Sequence, residues 1–266
     1  MFRFLGLTAL ALGLAVSASA QTRPLLTEEA DTAPAGTVTL EVGMDASRNQ
    51  PNFLTGRERD RYDGPLLRAV FSPAANVEMD VEWVTRVGVF HDPDFGSVSD
   101  FGDVTLRAKV RALSSRQGRL SLGARFGVTL PETRFNKGLG PNALRMSVQV
   151  LASYHAGLTT LHADAGLGIH DEIDLPPAQQ DFLAYGLAAS RQLPGDLTLL
   201  AEVAGLMGAS VPGVGAHSEA RLGVRLKRAH FAGDLALRRG LAHADGSWGV
   251  SFGVTLRLRS SAAAEP

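Results

Sequence analysis

Between residues 77 and 83 the chain alternates strictly: Val77, Met79, Val81 and Trp83 are apolar, and Glu78, Asp80 and Glu82 between them are acidic. A period of two with carboxylates on one face and hydrocarbon on the other describes a strand lying between water and an oily phase. The next segment repeats the pattern with opposite charge, Val104, Leu106, Ala108 and Val110 alternating with Thr105, Arg107, Lys109 and Arg111. A third runs from Arg119 to Leu130, with Leu120, Leu122, Ala124, Phe126 and Val128 on its apolar face. The same reading predicts strands at 38–45, 65–72, 77–90, 102–113, 119–130, 144–154, 159–170, 181–191, 196–206, 218–227, 231–239 and 248–258. Their lengths are close to the roughly ten residues that a tilted strand needs to cross a bilayer.

The connections alternate between short and long. Residues 73–76, 114–118, 155–158, 193–195 and 228–229 are tight, whereas 47–63, 91–101, 131–143, 171–180, 207–217 and 240–247 are longer. Short turns at one rim and long loops at the other mark an outer-membrane barrel, and an even strand count returns both ends of the chain to the short-turn, periplasmic side. The expected fold class is all-β: a closed antiparallel transmembrane β-barrel of about twelve strands.

Charge is distributed by face. The face taken as outward holds Val, Leu, Ala, Met, Phe, Ile, Tyr and Trp, because a charge there would cost roughly 2–4 kcal/mol at the bilayer midplane. The lumen face holds the three acids of 78–82 and Arg107, Lys109 and Arg111, then Glu41, Arg125, Arg145, Gln149, His162 and Asp164. In the last third of the chain it holds Glu202, Glu219, Arg221, Arg225, Asp234, Arg238, Thr255 and Arg257. Inward basic residues outnumber the inward acids placed opposite them, so an open lumen is expected to favour small anions. Trp83, Tyr154, Tyr185 and Trp248 are the expected members of thin interfacial girdles.

The N-terminus adds a compartment. Arg3, an apolar run over 5–16 and Ala18-Ser19-Ala20 read as a secretory signal with its cleavage site, and the run is too short for a spanning helix. The expected organisation is a signal peptide at 1–20, a periplasmic segment at 21–36, the barrel at 37–259 and a tail at 260–266. Cysteine is absent, which suits an oxidising compartment and excludes thiol chemistry, disulfides and thiolate metal sites. A net charge of −1 leaves no electrostatic footprint for nucleic acid. The expected partners are outer-membrane lipid, the barrel-assembly machinery and an unidentified small solute.

Three stretches carry a family likeness: 23–32 followed by Gly36 and Leu40-Glu41-Val42-Gly43; Phe101-Gly102-Asp103-Val104-Thr105-Leu106-Arg107-Ala108-Lys109; and Gly123 through Pro131. The chain resembles the outer-membrane transporter family grouped under the meta-pathway of phenol degradation. The resemblance implies a barrel and the passage of small hydrophobic or aromatic compounds, and it transfers no catalytic or binding residue. The chain departs from the usual pattern in lacking a terminal aromatic, since Leu256-Arg257-Leu258-Arg259 leads into a small polar tail.

Candidate chemistry is sparse. His162 and Asp164 share the inward face of one strand, but no serine sits in an elbow beside them, so a lumen hydrogen-bond network is favoured over a hydrolase. His170-Asp171-Glu172 opens a long loop and lacks further ligands at metal-binding spacing. No cofactor or metal site is expected. Glu78, Asp80 and Glu82 facing Arg107, Lys109 and Arg111 read first as cross-strand pairs and second as a charged wall that sorts solutes. The apolar, glycine-rich 203–216 stretch reads as a loop or as an inward gate. The leading reading is a passive conduit, ahead of a structural barrel with a plugged lumen; an outer-membrane hydrolase and a secreted soluble β protein follow.

Overall fold

The structure is a computed structural model describing residues 23–171, 179–208 and 216–259. The expected signal peptide, Glu172, the middle of the 203–216 stretch and the C-terminal tail lie outside these residues. The strands in chain order are β1 (Thr37–Pro51), β2 (Glu58–Ala74), β3 (Val77–Val84), β4 (Val87–Asp92), β5 (Gly96–Asp100), β6 (Val104–Ser114) and β7 (Leu120–Leu130). They continue as β8 (Leu144–Ala156), β9 (Thr159–Asp171), β10 (Gln179–Leu193), β11 (Leu197–Met207), β12 (His217–Arg228), β13 (Phe231–Gly240) and β14 (Trp248–Arg259). Each pairs antiparallel with its neighbours, and β1 pairs with both β2 and β14, so the sheet closes on itself. Closure leaves no edge whose amides would be unpaired in lipid. β4 continues β3, and β6 continues β5, across short breaks, so the fourteen segments form the twelve staves of a barrel.

The outward face of the staves is hydrocarbon. Val150, Leu187 and Leu237 are each more than 60% exposed, as suits side chains whose solvent is lipid rather than water. Outward charges sit near the rims, as with Arg191 beside the β10–β11 turn and Arg239 at the end of β13. Trp83, Tyr154 and Trp248 are exposed on this face. Tyr185 also points outward and donates to Ser218 Oγ at 2.8 Å.

Two expectations about the long loops are corrected. Much of 47–63 and 91–101 is strand, leaving 52–57, 93–95 and Phe101 outside the strands. The polar run around Arg59, Asp60, Arg61 and Asp63 has no apolar alternation to announce a strand, yet its backbone pairs across Ser47↔Arg61, Gln50↔Arg59 and Asp60↔Phe90. The alternation expected through 77–90 also changes phase at Thr85-Arg86: Glu78 and Asp80 face the lumen before the break, and Val87 and Val89 are buried after it. Opposite the break, Gly64 N donates to Arg86 O and Thr85 N to Pro65 O, so β2 stays bonded to the wall across it.

Part of the loop rim folds inward. The segment after β7 carries a single 3-10 turn at Phe135–Lys137, and Leu139 beyond it packs against Val87 and Val89. Arg59 fixes this loop by donating to Lys137 O and Gly138 O while pairing with Asp92 at 2.8 Å, and Arg61 donates to Leu139 O at 2.7 Å.

Candidate functional site

The site is the lumen, and its central feature lies outside the strands. Residues 23–36 show no alternation and form no strand, yet Arg23 and Thr27 to Ala33 are all buried. The sequence reading sets 21–36 ahead of the barrel; its described part instead lies within the ring of staves. The physical reason is electrostatic. Glu28, Glu29 and Asp31 are carboxylates next to a wall with a surplus of guanidinium and ammonium groups.

From the short-turn rim inward, the segment bonds one stave after another. Gly36 N donates to Ser72 O on β2, and Ala33 N to Glu78 Oε1 on β3 at 2.6 Å. Asp31 accepts from Ser121 Oγ on β7 at 2.5 Å and lies 2.7 Å from His155 Nε2 on β8. Ala30 N donates to Ser153 Oγ on β8, and Glu28 N to Asp164 Oδ2 on β9, both at 2.9 Å. On β11, Glu202 receives the N–H groups of Leu26 and Thr27 at 2.8 Å. Arg221 of β12 donates to Pro24 O, and Arg23 pairs with Asp45 of β1 at 2.9 Å. The contacts make one circuit of the wall, and the segment is a plug.

Glu28 is its electrostatic centre. Arg125 lies 2.6 Å from its carboxylate, Lys109 3.4 Å and Arg68 3.6 Å. Burial alone would raise the acid's pKa, but Arg68, Lys109 and Arg125 together outweigh it and hold Glu28 well below the usual carboxylate range. Glu29 is the opposite case. Its Oε1 has no hydrogen-bond partner among the described residues, and burial pushes its pKa well above the ordinary value despite Lys109.

Two inward glycines make room. A Cβ on Gly43 would lie 2.3 Å from Arg23 Nε, and one on Gly186 would lie 2.6 Å from Thr27 Oγ1 and 2.7 Å from Asp164 Oδ1. Where the wall is apolar, at Ala188 and Leu200, it receives Leu25.

Six of the lumen-facing residues read from the sequence, Glu78, Lys109, Arg125, Asp164, Glu202 and Arg221, bond the plug. Glu78, Asp164 and Glu202 hold plug amides, and Lys109 and Arg125 hold Glu28. The cross-strand pairs form as expected: Arg107 bonds Asp80 and Glu82 at 2.8 Å, and Lys109 bonds Glu78 at 2.7 Å. Arg238 and Arg221 share Glu219, and Arg225 stands opposite Asp234 in register, as Arg257 does opposite Thr39. Arg111 lies at the short-turn rim, bonded to Ala75 O.

His162 and Asp164 are not brought together as a catalytic pair: His162 Nδ1 lies 2.9 Å from Ser153 Oγ, and Asp164 holds the plug. Among the described residues no group of three His, Cys, Asp or Glu is placed to hold a metal ion. Arg68 escaped the sequence reading because the apolar Leu66 and Val70 share its inward face, which spoils the alternation.

A family model described as "Putative MetA-pathway of phenol degradation" matches residues 22–258. The chain belongs to this family. The matched span takes in the plug as well as every stave. Among solved structures, the barrel is similar to the COG4313 outer membrane channel from Pseudomonas putida F1, with a TM-score of 0.67 at 16% identity over 86% of this chain and 97% of that one. It is also similar to the NanC porin, at TM-score 0.54 and 6% identity over 84% of this chain and 99% of that one. The translocator domain of the autotransporter NalP from Neisseria meningitidis matches at TM-score 0.51 and 12% identity, over 85% and 89% of the two chains. The architecture is that of outer-membrane barrels. No curated protein matches the chain at the sequence level.

Proposed function

We propose that the protein is an outer-membrane conduit for small solutes, gated by its own N-terminal segment, with the short-turn rim facing the periplasm. The observation that carries this reading is the chemistry of the plug's attachment. Residues 23–33 are held chiefly by ion pairs and by side chains that accept their amides, beside an apolar contact at Leu25. A permanent filling would be expected to form a dry apolar core, whereas polar contacts can be exchanged for water as the segment leaves. A twelve-stave barrel is wider than the eight-strand barrels that wall side chains fill alone, so displacing the plug leaves a narrow bore.

The family's description supports small aromatic or hydrophobic compounds as solutes. Release of the plug would also take the Glu28 carboxylate from Arg125, and from Arg68 and Lys109, which keep the wall acids Asp80 and Glu78, so anion preference belongs to the open form and is masked in the closed one. A hydrolase is disfavoured because His162 and Asp164 are engaged with Ser153 and with the plug.

Swelling of proteoliposomes in isotonic arabinose tests the reading. The conduit is expected to admit the sugar slowly as the mature chain and rapidly when the plug is displaced. Impermeability in both forms would leave a structural barrel.

A further inference from the structure

Above the plug, four neighbouring strands carry Thr129, Arg145, His170 and Gln180 side by side on the lumen face, Thr129 opposite Arg145, Arg145 opposite His170, and His170 opposite Gln180. Arg145 differs from Arg68, Arg107, Arg125, Arg221 and Arg238, which all have a carboxylate. It forms no ion pair among the described residues, and its one hydrogen bond is a long one, 3.5 Å to Thr129 Oγ1. The acids that act on it from a distance, Asp103 and Glu82, are already engaged. Asp103 accepts from the Glu132 and Thr133 amides and the Thr133 hydroxyl, and Glu82 accepts from Arg107.

Beside this guanidinium, His170 is only 4% exposed, and its Nδ1 has no hydrogen-bond partner among the described residues. Its ring is fixed in place by Phe182, 4.7 Å away between centroids, and the Phe182 ring occupies the space that a Cβ on Gly168 would need. A buried nitrogen without a partner normally costs free energy, and so does a guanidinium drawn partly from water without an anion. Here the two stand on adjacent strands.

We propose that Arg145 and His170 form a binding subsite for the carboxylate of a small solute crossing the lumen. The proposal rests on the conduit reading and assigns it a solute class. The Arg145 guanidinium presents a planar fork that matches a carboxylate, and the His170 tautomer protonated at Nδ1 supplies a further donor. One cationic residue with one neutral donor makes a site strong enough to draw the anion in and weak enough to release it, as conduction requires.

The probe is 4-fluorobenzoate, with its binding to the full mature chain in detergent followed by 19F NMR; 4-fluorobenzyl alcohol is the uncharged counterpart. Saturable binding of the acid is expected, about tenfold tighter than the alcohol, which is the scale of one charge-assisted contact. Arg145→Gln is expected to abolish that preference, and Arg145→Lys to reduce it by keeping the charge without the fork. Folding of each variant is checked by its heat-dependent gel shift. Equal binding of acid and alcohol by the parent overturns the subsite, and that comparison needs no variant; so does an Arg145→Gln barrel that still prefers the acid. Arabinose swelling separates the two readings. A parent chain that swells but shows no acid preference removes the subsite alone, whereas acid binding in a barrel that never swells removes the conduit.

Discussion

Arg125, in the middle of β7, donates to Glu28 Oε2 at 2.6 Å, tying a wall strand to a segment that precedes the first strand. Glu28→Gln leaves Arg68, Lys109 and Arg125 without their shared carboxylate. Removing one partner from such a buried cluster costs about 3 kcal/mol, roughly a hundredfold in the docking equilibrium. The chain has no cysteine, so Ala30→Cys, at a fully buried plug position, reports undocking through its rate of maleimide labelling. Glu28→Gln is expected to raise that rate strongly; an unchanged rate would mean that the ion pairs do not hold the plug.

Glu29 makes docking pH-dependent. Burial raises its docked pKa above the ordinary 4.5, so the undocked acid ionises first as pH rises, and its contribution to docking, complete below 4.5, is lost through the docked value. Lys109 and Lys227 oppose this rise, while Asp31 and Glu78 add to it. Glu28 has the opposite sign: its contribution is complete above 4.5 and lost as pH falls toward its lowered value. Between about pH 5 and about pH 9, labelling of Ala30→Cys is expected to rise faster in the parent than in Glu29→Gln, and the ratio of the two cancels the thiol's own titration. A flat ratio would show that Glu29 is not strained when docked.

Gly186→Val tests the fit of the plug without touching its charges. The added side chain meets Thr27 and Asp164 at distances that no real Cβ tolerates, while valine suits a strand. The barrel is expected to assemble with its plug displaced, giving faster labelling at Ala30→Cys and faster arabinose swelling. Normal labelling would mean that the wall yields instead.

The outward face sets another asymmetry. Val150→Arg, at a position 64% exposed to lipid, is expected to cost roughly 2–4 kcal/mol and to deplete folded barrel in membranes. Ser190→Arg, on the lumen face, is expected to accumulate nearly as the parent does. Similar accumulation of both would assign the faces wrongly.

The barrel was legible because its solvent changes every second residue, and Val77 to Trp83 shows this without help from its neighbours. The extensions of β1, β2, β4 and β5 were not, since Arg59, Asp60 and Arg61 pair through backbone where neither face is oily. The plug was half legible. Glu28, Glu29 and Asp31 stand before the first strand, and Arg125 and Arg221 had too few acids in sight. Joining those observations required knowing that the segment passes Gly43 and Gly186, whose missing side chains look like ordinary strand glycines until something lies against them. Arg145 was expected on the lumen face and His170 at the opening of a long loop; only the observed register sets them side by side, and an unsatisfied imidazole nitrogen has no signature in sequence.

Planar-bilayer recording of the chain beginning at Gln21 beside one beginning at Ala35 bears on the gate itself. The longer chain is expected to show small or intermittent conductance, and the shorter one a larger, steady one that favours anions once Glu28 no longer neutralises Arg125 and its neighbours. Equal conductance in the two forms, or none in a truncated barrel that still shows its heat-dependent gel shift, would contradict a gate formed by the N-terminal segment.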